Sequence, residues 1–347
     1  MPFVRCVVLN AVLLGWCFPV VGIASESIDA GSSVAASSKQ SSQFPERPDN
    51  VAPAKWAGLK SAVEQAKLLP SPDGIGGENS QFGFSVSMDD NRALVGGVRL
   101  LGSGAAIVLV ESGGSWVEQA VLIPNDGESG DQFGISVSLS GDRALVGASL
   151  DDDNGSNSGS AYVFDFNGTS WSETAKLTPT DGAASDNFGI SVSLSGNRAL
   201  VGAHFDDDNG SNSGSAYVFD FNDTSWSETT KLTPADGAES DWFGRSVSLS
   251  GNRALVGAYR DDDNGSDSGS AYVFDFNGTS WSETTKLTPA DGAASDQFGF
   301  SVSLSGDRAL VGANRDDNGN DSGSAYVFDI NGTSWSETAK LTASDGA

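Results

Sequence analysis

The residues best suited to chemistry are carboxylates in short runs. Asp151-Asp152-Asp153-Asn154-Gly155-Ser156-Asn157 recurs at Asp206 to Asn212 and at Asp261 to Asp267, with a shortened copy from Asp316 to Asp321. Oxygen donors at alternate positions around a glycine turn suit a hard cation such as calcium, which takes six to eight oxygens. The candidate ligands are Asp151, Asp153 and Asn157; Asp206, Asp208 and Asn212; Asp261, Asp263 and Asp267; and, in the short copy, Asp317 and Asp321. No glutamate ends these runs, and Asp-Asn-Gly-Ser is also ordinary turn chemistry. Calcium binding and a solvated acidic loop both remain open, and calcium is the only cofactor suggested.

Other chemistry is hard to assemble. The chain has a single histidine, His204, and its cysteines, Cys6 and Cys17, both lie near the N-terminus. Ser-His-Asp and Cys-His nucleophiles therefore lack support, as does zinc. No glycine-rich phosphate loop leads into a helix. The expectation is a protein that is not an enzyme. Trp116, Trp171, Trp226, Trp281 and Trp335 recur at one position and could stack on sugars, which gives a lectin-like alternative; packing between units is the other reading. A hydrolase scaffold with its site in a central channel is a second alternative. Asp131, Asp186, Asp241 and Asp296 stand two residues before a Phe-Gly pair, and Arg92, Arg143, Arg198, Arg253 and Arg308 open a later strand. A repeated Asp–Arg ion pair is the expectation there.

What must position these groups is a repeat. Phe-Gly pairs at Phe82-Gly83, Phe133-Gly134, Phe188-Gly189, Phe243-Gly244 and Phe298-Gly299 are spaced by 51 residues and then by 55 three times. A fixed period of this size marks one supersecondary unit, repeated. Each unit reads as four strands. Gly189 to Leu194 alternates apolar residues with serine, and Ser195 to Asn197 turns the chain into the small-residued Arg198 to Ala203. Beyond the acidic loop, Gly214 to Phe221 is apolar on both faces, as a sheet between two sheets requires. Asn-Gly at Asn167, Asn277 and Asn331, or Asn222-Asp223, predicts a two-residue hairpin with positive φ. The last strand, Trp226 to Leu232, is polar, with Glu228 and Lys231, as a protected outer edge would be. Four antiparallel strands at this period predict an all-β propeller, with five blades visible.

Toward the N-terminus the pattern changes. Arg5 precedes an apolar run from Cys6 to Val21, with Ala24-Ser25 after it, which predicts a signal peptide over residues 1–24 and hence export to the periplasm, cell surface or medium. Residues 25–55 are rich in Ser, Ala and Pro and read as a flexible linker. The repeats fill 56–347, opening on one leading strand, because Ala62 to Gly74 aligns with Trp171 to Gly182. A formal net charge of −27 argues against nucleic acid and anionic lipid as partners. Once the signal is removed, no membrane insertion is expected. A protein or glycan ligand at the loop rim is expected instead.

The segments Phe188-Gly189-Ile190-Ser191-Val192, Leu200-Val201-Gly202-Ala203 and Gly214-Ser215-Ala216-Tyr217-Val218-Phe219, in that order, resemble the FG-GAP repeats of integrin alpha-chain propellers and their bacterial relatives. The resemblance spans about residues 60–347. It implies a β-propeller that displays loops for protein binding or adhesion on exported proteins. Two features depart from that family. Its Asp-rich calcium loop would fall at Leu194 to Arg198, which is too short here, and integrin-like rings have seven blades.

Overall fold

The computed structural model describes residues 80–316 and 322–343. The signal segment, the linker, the leading strand at 62–74, Asp317 and Asp321 lie outside the described residues. The rest forms five four-stranded antiparallel sheets, each a simple meander, and contains no helix. Sheet one comprises β1 (Phe82–Asp89), β2 (Arg92–Gly97), β3 (Ala105–Ser112) and β4 (Ser115–Leu122). Sheet two comprises β5 (Ser136–Ser140), β6 (Arg143–Ala148), β7 (Ser160–Phe166) and β8 (Trp171–Leu177). Sheet three follows as β9 (Ser191–Ser195), β10 (Arg198–Ala203), β11 (Ser215–Phe221) and β12 (Trp226–Leu232). Sheet four is β13 (Ser246–Ser250), β14 (Arg253–Ala258), β15 (Ser270–Phe276) and β16 (Trp281–Leu287). Sheet five is β17 (Phe298–Ser305), β18 (Arg308–Ala313), β19 (Ser324–Asn331) and β20 (Ser334–Leu341). This is the expected architecture of propeller blades.

One apolar layer lies between each pair of consecutive sheets. Leu145, Ala161, Val163 and Leu177 of sheet two meet Phe188, Val192, Val201, Tyr217 and Phe219 of sheet three. The same layer is rebuilt at the other three junctions. Phe188 anchors it, lying edge-on to Tyr217 at 5.5 Å and to Phe219 at 5.9 Å. The third strands are therefore buried on both faces, and the alternation read from the sequence is correct there. On sheet five the corresponding side is open: Leu341 is 48 % exposed, where Leu177, Leu232 and Leu287 are 3 % exposed. Apolar Phe84, Val86 and Met88 on β1 are exposed as well.

Inner strands succeed one another in the order β1, β5, β9, β13, β17, and serines join them. The Ser138 hydroxyl accepts from Leu194 N at 2.9 Å, and that of Ser193 accepts from Leu249 N at 2.9 Å. Closer still is the contact at the glycines. Ser191 Oγ donates to Gly244 O at 2.7 Å, and a Cβ on Gly202 would stand 1.9 Å from that carbonyl. Gly147 faces Gly189 O at the same 1.9 Å, while Gly96 and Gly257 face Gly134 O and Gly299 O at 2.1 Å. No side chain fits in such a gap.

Turn chemistry only partly follows expectation. Gly196, at φ +60°, begins a two-residue turn between the paired Ser195 and Arg198. At Asn167 and Asn277 the expected two-residue hairpin is instead a four-residue loop. Asn167 Oδ1 accepts from Thr169 N and Ser170 N, both at 2.9 Å, and only Gly168 takes positive φ. The asparagine side chain, acting as an acceptor for the turn's own backbone, outcompetes the tighter turn.

Gly202→Ala is expected to lower stability by about 1–3 kcal/mol through overpacking. Gly312→Ala should cost clearly less, because its Cβ would meet only the Ser301 hydroxyl, a side chain that can rotate away. Urea unfolding of both variants checks this, and equal losses would contradict the account.

Candidate functional site

Each acidic loop joins the second strand of a sheet to the third, at the end where the chain also arrives from the preceding sheet. In sheet three Asp206 is buried and its oxygens are fully engaged. Oδ1 accepts from Ser215 Oγ at 2.9 Å and from Asp208 N at 3.2 Å. Oδ2 accepts from Tyr217 Oη at 2.8 Å and from Lys231 Nζ at 2.9 Å. The same ammonium also contacts Asp208 and, at 2.9 Å, Asp181 in the loop that enters from sheet two. One lysine thus sits among three carboxylates drawn from two units. The cluster recurs as Lys176 with Asp126, Asp151 and Asp153, and as Lys286 with Asp236, Asp261 and Asp263. In sheet five, Lys340 meets Asp291 and Asp316.

A β-bulge makes this geometry. Tyr217 pairs with Lys231 and Phe219 with Glu228, so Thr229 is the extra residue. Strict alternation would place Glu228 and Lys231, three apart, on opposite faces. The bulge puts both on the face of Tyr217 and Phe219, toward the preceding sheet. There Glu228 Oε2 accepts from Thr180 N at 2.8 Å, across the junction. The polar residues of the outer strands, expected to guard an edge, therefore bind the neighbouring unit.

The ligands read from the sequence divide in two. Asp151, Asp153, Asp206, Asp208, Asp261 and Asp263 do converge, and oxygens of Asp236, Asp261 and Asp263 lie within 4.8 Å of one another. Asn157, Asn212 and Asp267 instead close the loop: their backbone N–H groups donate to Asp152, Asp207 and Asp262 at 2.6–2.7 Å. The Asp267 carboxylate faces Arg260, 3.9 Å away. Asp126, Asp181, Asp236 and Asp291 were missed, although an Asp-Gly step recurs at each of those positions.

Electrostatics fit a clamp rather than a reactive centre. Burial opposes the charge on Lys231, but its bonds to Asp208, Asp181 and Asp206 outweigh that and raise its pKa. Burial and the Asp206 charge raise the Tyr217 pKa too. Asp181 is lowered: burial works against its charge, and the bond from Lys231 wins. Neither the lysine nor the tyrosine is poised as a base or nucleophile at neutral pH.

The expected Asp–Arg pair does not form. Arg198 Nε bonds Asp220, its cross-strand neighbour, at 2.6 Å, as Arg143, Arg253 and Arg308 bond Asp165, Asp275 and Asp329. Asp186 accepts from Ala183 N at 2.7 Å and closes its own turn. Trp171, Trp226, Trp281 and Trp335 pack between units, each partly buried against a core layer, while Trp116 is partly buried but joins none of these four layers. Trp281 lies under Arg198 of the preceding sheet, 5.1 Å from ring centre to guanidinium, and Trp226 lies equally near Arg143.

Burial raises Asp186 and Asp241 to about 6. Between about pH 4 and pH 6 the folded chain holds protons on them that the unfolded chain releases, so their contribution to stability falls as pH rises. On acidification from about pH 6 to pH 4, wild type should gain melting temperature relative to Asp186→Asn/Asp241→Asn. His204, held down to about 3 by burial and the Arg245 charge, pulls the other way in both proteins and cancels. Parallel melting curves would contradict the assignment.

A family model described as FG-GAP repeat matches residues 116–164, 171–219, 226–274 and 281–328. Each stretch begins at an outer-strand tryptophan and runs through the next sheet's third strand, so the matched unit straddles a junction. No curated protein matches the chain.

Proposed function

Since the chain belongs to the FG-GAP repeat family, we propose that it is an exported, non-enzymatic scaffold whose rim of Asp loops binds a cationic surface on a protein partner, as in adhesion. The carrying observation is the division of labour within each loop. Asp151, Asp206 and Asp261 are buried in the lysine clusters, whereas Asp152, Asp207 and Asp262 stand exposed at one position of successive sheets. An array of like charges at regular spacing gives long-range attraction and specificity for an opposite array. Export is supported by Arg5 and the apolar run after it. Support for a non-enzymatic role comes from the raised lysine and tyrosine pKa values and from the inner cavity, which no acid or histidine lines.

Calcium enters this reading as a competitor. In three sheets the lysine ammonium occupies the place among the carboxylates that a bound cation would take. The loops therefore order without metal, and calcium gains access where the lysine is lost. Sugar stacking is less well supported, because arginines lie over the rings of Trp171, Trp226, Trp281 and Trp335.

Asp152→Asn, Asp207→Asn and Asp262→Asn together keep the turn acceptors and remove three exposed charges. Affinity for an oligolysine peptide at low salt should fall at least about tenfold while the melting temperature holds; unchanged affinity contradicts the rim. Wild type should melt at one temperature in chelator and in millimolar calcium, whereas Lys286→Met should gain a calcium-dependent rise. Stabilisation of wild type as large as that of the variant would make calcium the resident cation.

A further inference from the structure

Units this alike show, by their exceptions, where a position is released from its packing role. Several exceptions gather around one arginine. The first inner-strand position reads Phe84, Ile135, Ile190, Arg245 and Phe300 in successive units. All five line a partly open cavity of about 90 Å³ between the inner strands, together with their serines and valines. Beside Arg245, Trp242 stands where other units carry Gln132, Asn187 and Gln297. Tyr259 links it to the cavity, lying 5.5 Å from Trp242 and 5.3 Å from Phe300.

Arg245 is anomalous in a chain of net charge −27. Among the described residues no carboxylate pairs with it; its guanidinium lies 5.8 Å from the Phe300 ring and close enough to His204 to help burial hold that imidazole neutral. No acidic residue lines the cavity. Four of the five lining serines, Ser85, Ser136, Ser191 and Ser246, are engaged, donating to glycine carbonyls of the next sheet at 2.7–2.8 Å. A cation held against apolar walls without a counter-ion is costly, and burial already lowers the Arg245 pKa. The isoleucine of the two preceding units would avoid that cost.

We propose that this cavity binds a small organic carboxylate, its carboxylate on the Arg245 guanidinium and its hydrocarbon part against Ile135, Ile190 and Phe300. A guanidinium offers the paired donors a carboxylate needs. The apolar walls select a ligand with a hydrocarbon part, and a single cation selects one negative charge over two. None of the rim aspartates lines the cavity, and the proposal does not depend on binding at the rim.

Octanoate, 1-octanol and inorganic phosphate are the probes, titrated into the whole chain by calorimetry and followed by tryptophan fluorescence. Octanoate should bind at least about tenfold more tightly than octanol and should perturb the emission; phosphate should bind more weakly still. Arg245→Ile installs the residue found at 135 and 190, so it should fold, melt no lower than wild type and lose the preference for octanoate over octanol. Arg245→Gln, polar but uncharged, should lose it equally. Equal affinity of wild type for octanol and octanoate overturns the proposal, as does phosphate binding as tight as octanoate. So does retention of the octanoate preference in either variant.

Discussion

The structure depends on how closely two sheets can approach at a pair of glycines. Gly202 leaves room for the carbonyl of Gly244, and that carbonyl is turned toward its neighbour by a left-handed φ of +84°. The serine-to-carbonyl bond at 2.7 Å then locks the spacing. With that distance set, Phe243 reaches the layer between sheets, edge-on to Tyr272, and a lysine on one outer strand reaches an aspartate of the preceding unit. Phe-Gly and Val-Gly-Ala recur because the junction, rather than the strand, is what must be conserved within the array.

The charged residues follow the same logic. Much of the acidity at the loop end is internal structure: buried aspartates accept from serine, tyrosine and lysine, and each lysine gathers carboxylates from two units. Three carboxylates around one ammonium leave each such cluster net negative. Adding the exposed Asp152, Asp207 and Asp262 makes this end strongly anionic, so the rim combines a rigid base with a repulsive surface that a cationic partner would relieve.

Much of this was legible in the residues. The period gave the sheets, alternation gave the buried faces of Tyr217 and Phe219, and composition gave the acidic loops. What the sequence hid was long-range pairing. Lys231 reads as an outward edge residue until a bulge at Thr229 turns it inward, and a bulge leaves no mark on a two-residue period. Asp181 reads as a turn residue until its 50-residue separation from Lys231 is closed by the fold. Arg198 sits nearer in sequence to Asp186 than to Asp220, yet strand register pairs it with the latter. Arg245 was visible as an exception in the repeat, but its significance appears only when five inner strands surround one cavity.

The central claim is that the repeated charged residues couple one unit to the next. A double-mutant cycle between Lys231 and Asp181, using Lys231→Met and Asp181→Asn, measures that coupling directly. The account predicts an interaction free energy of about 1 kcal/mol or more across the junction. Losses that add to within about 0.3 kcal/mol would contradict it, leaving glycine packing alone to hold the array together.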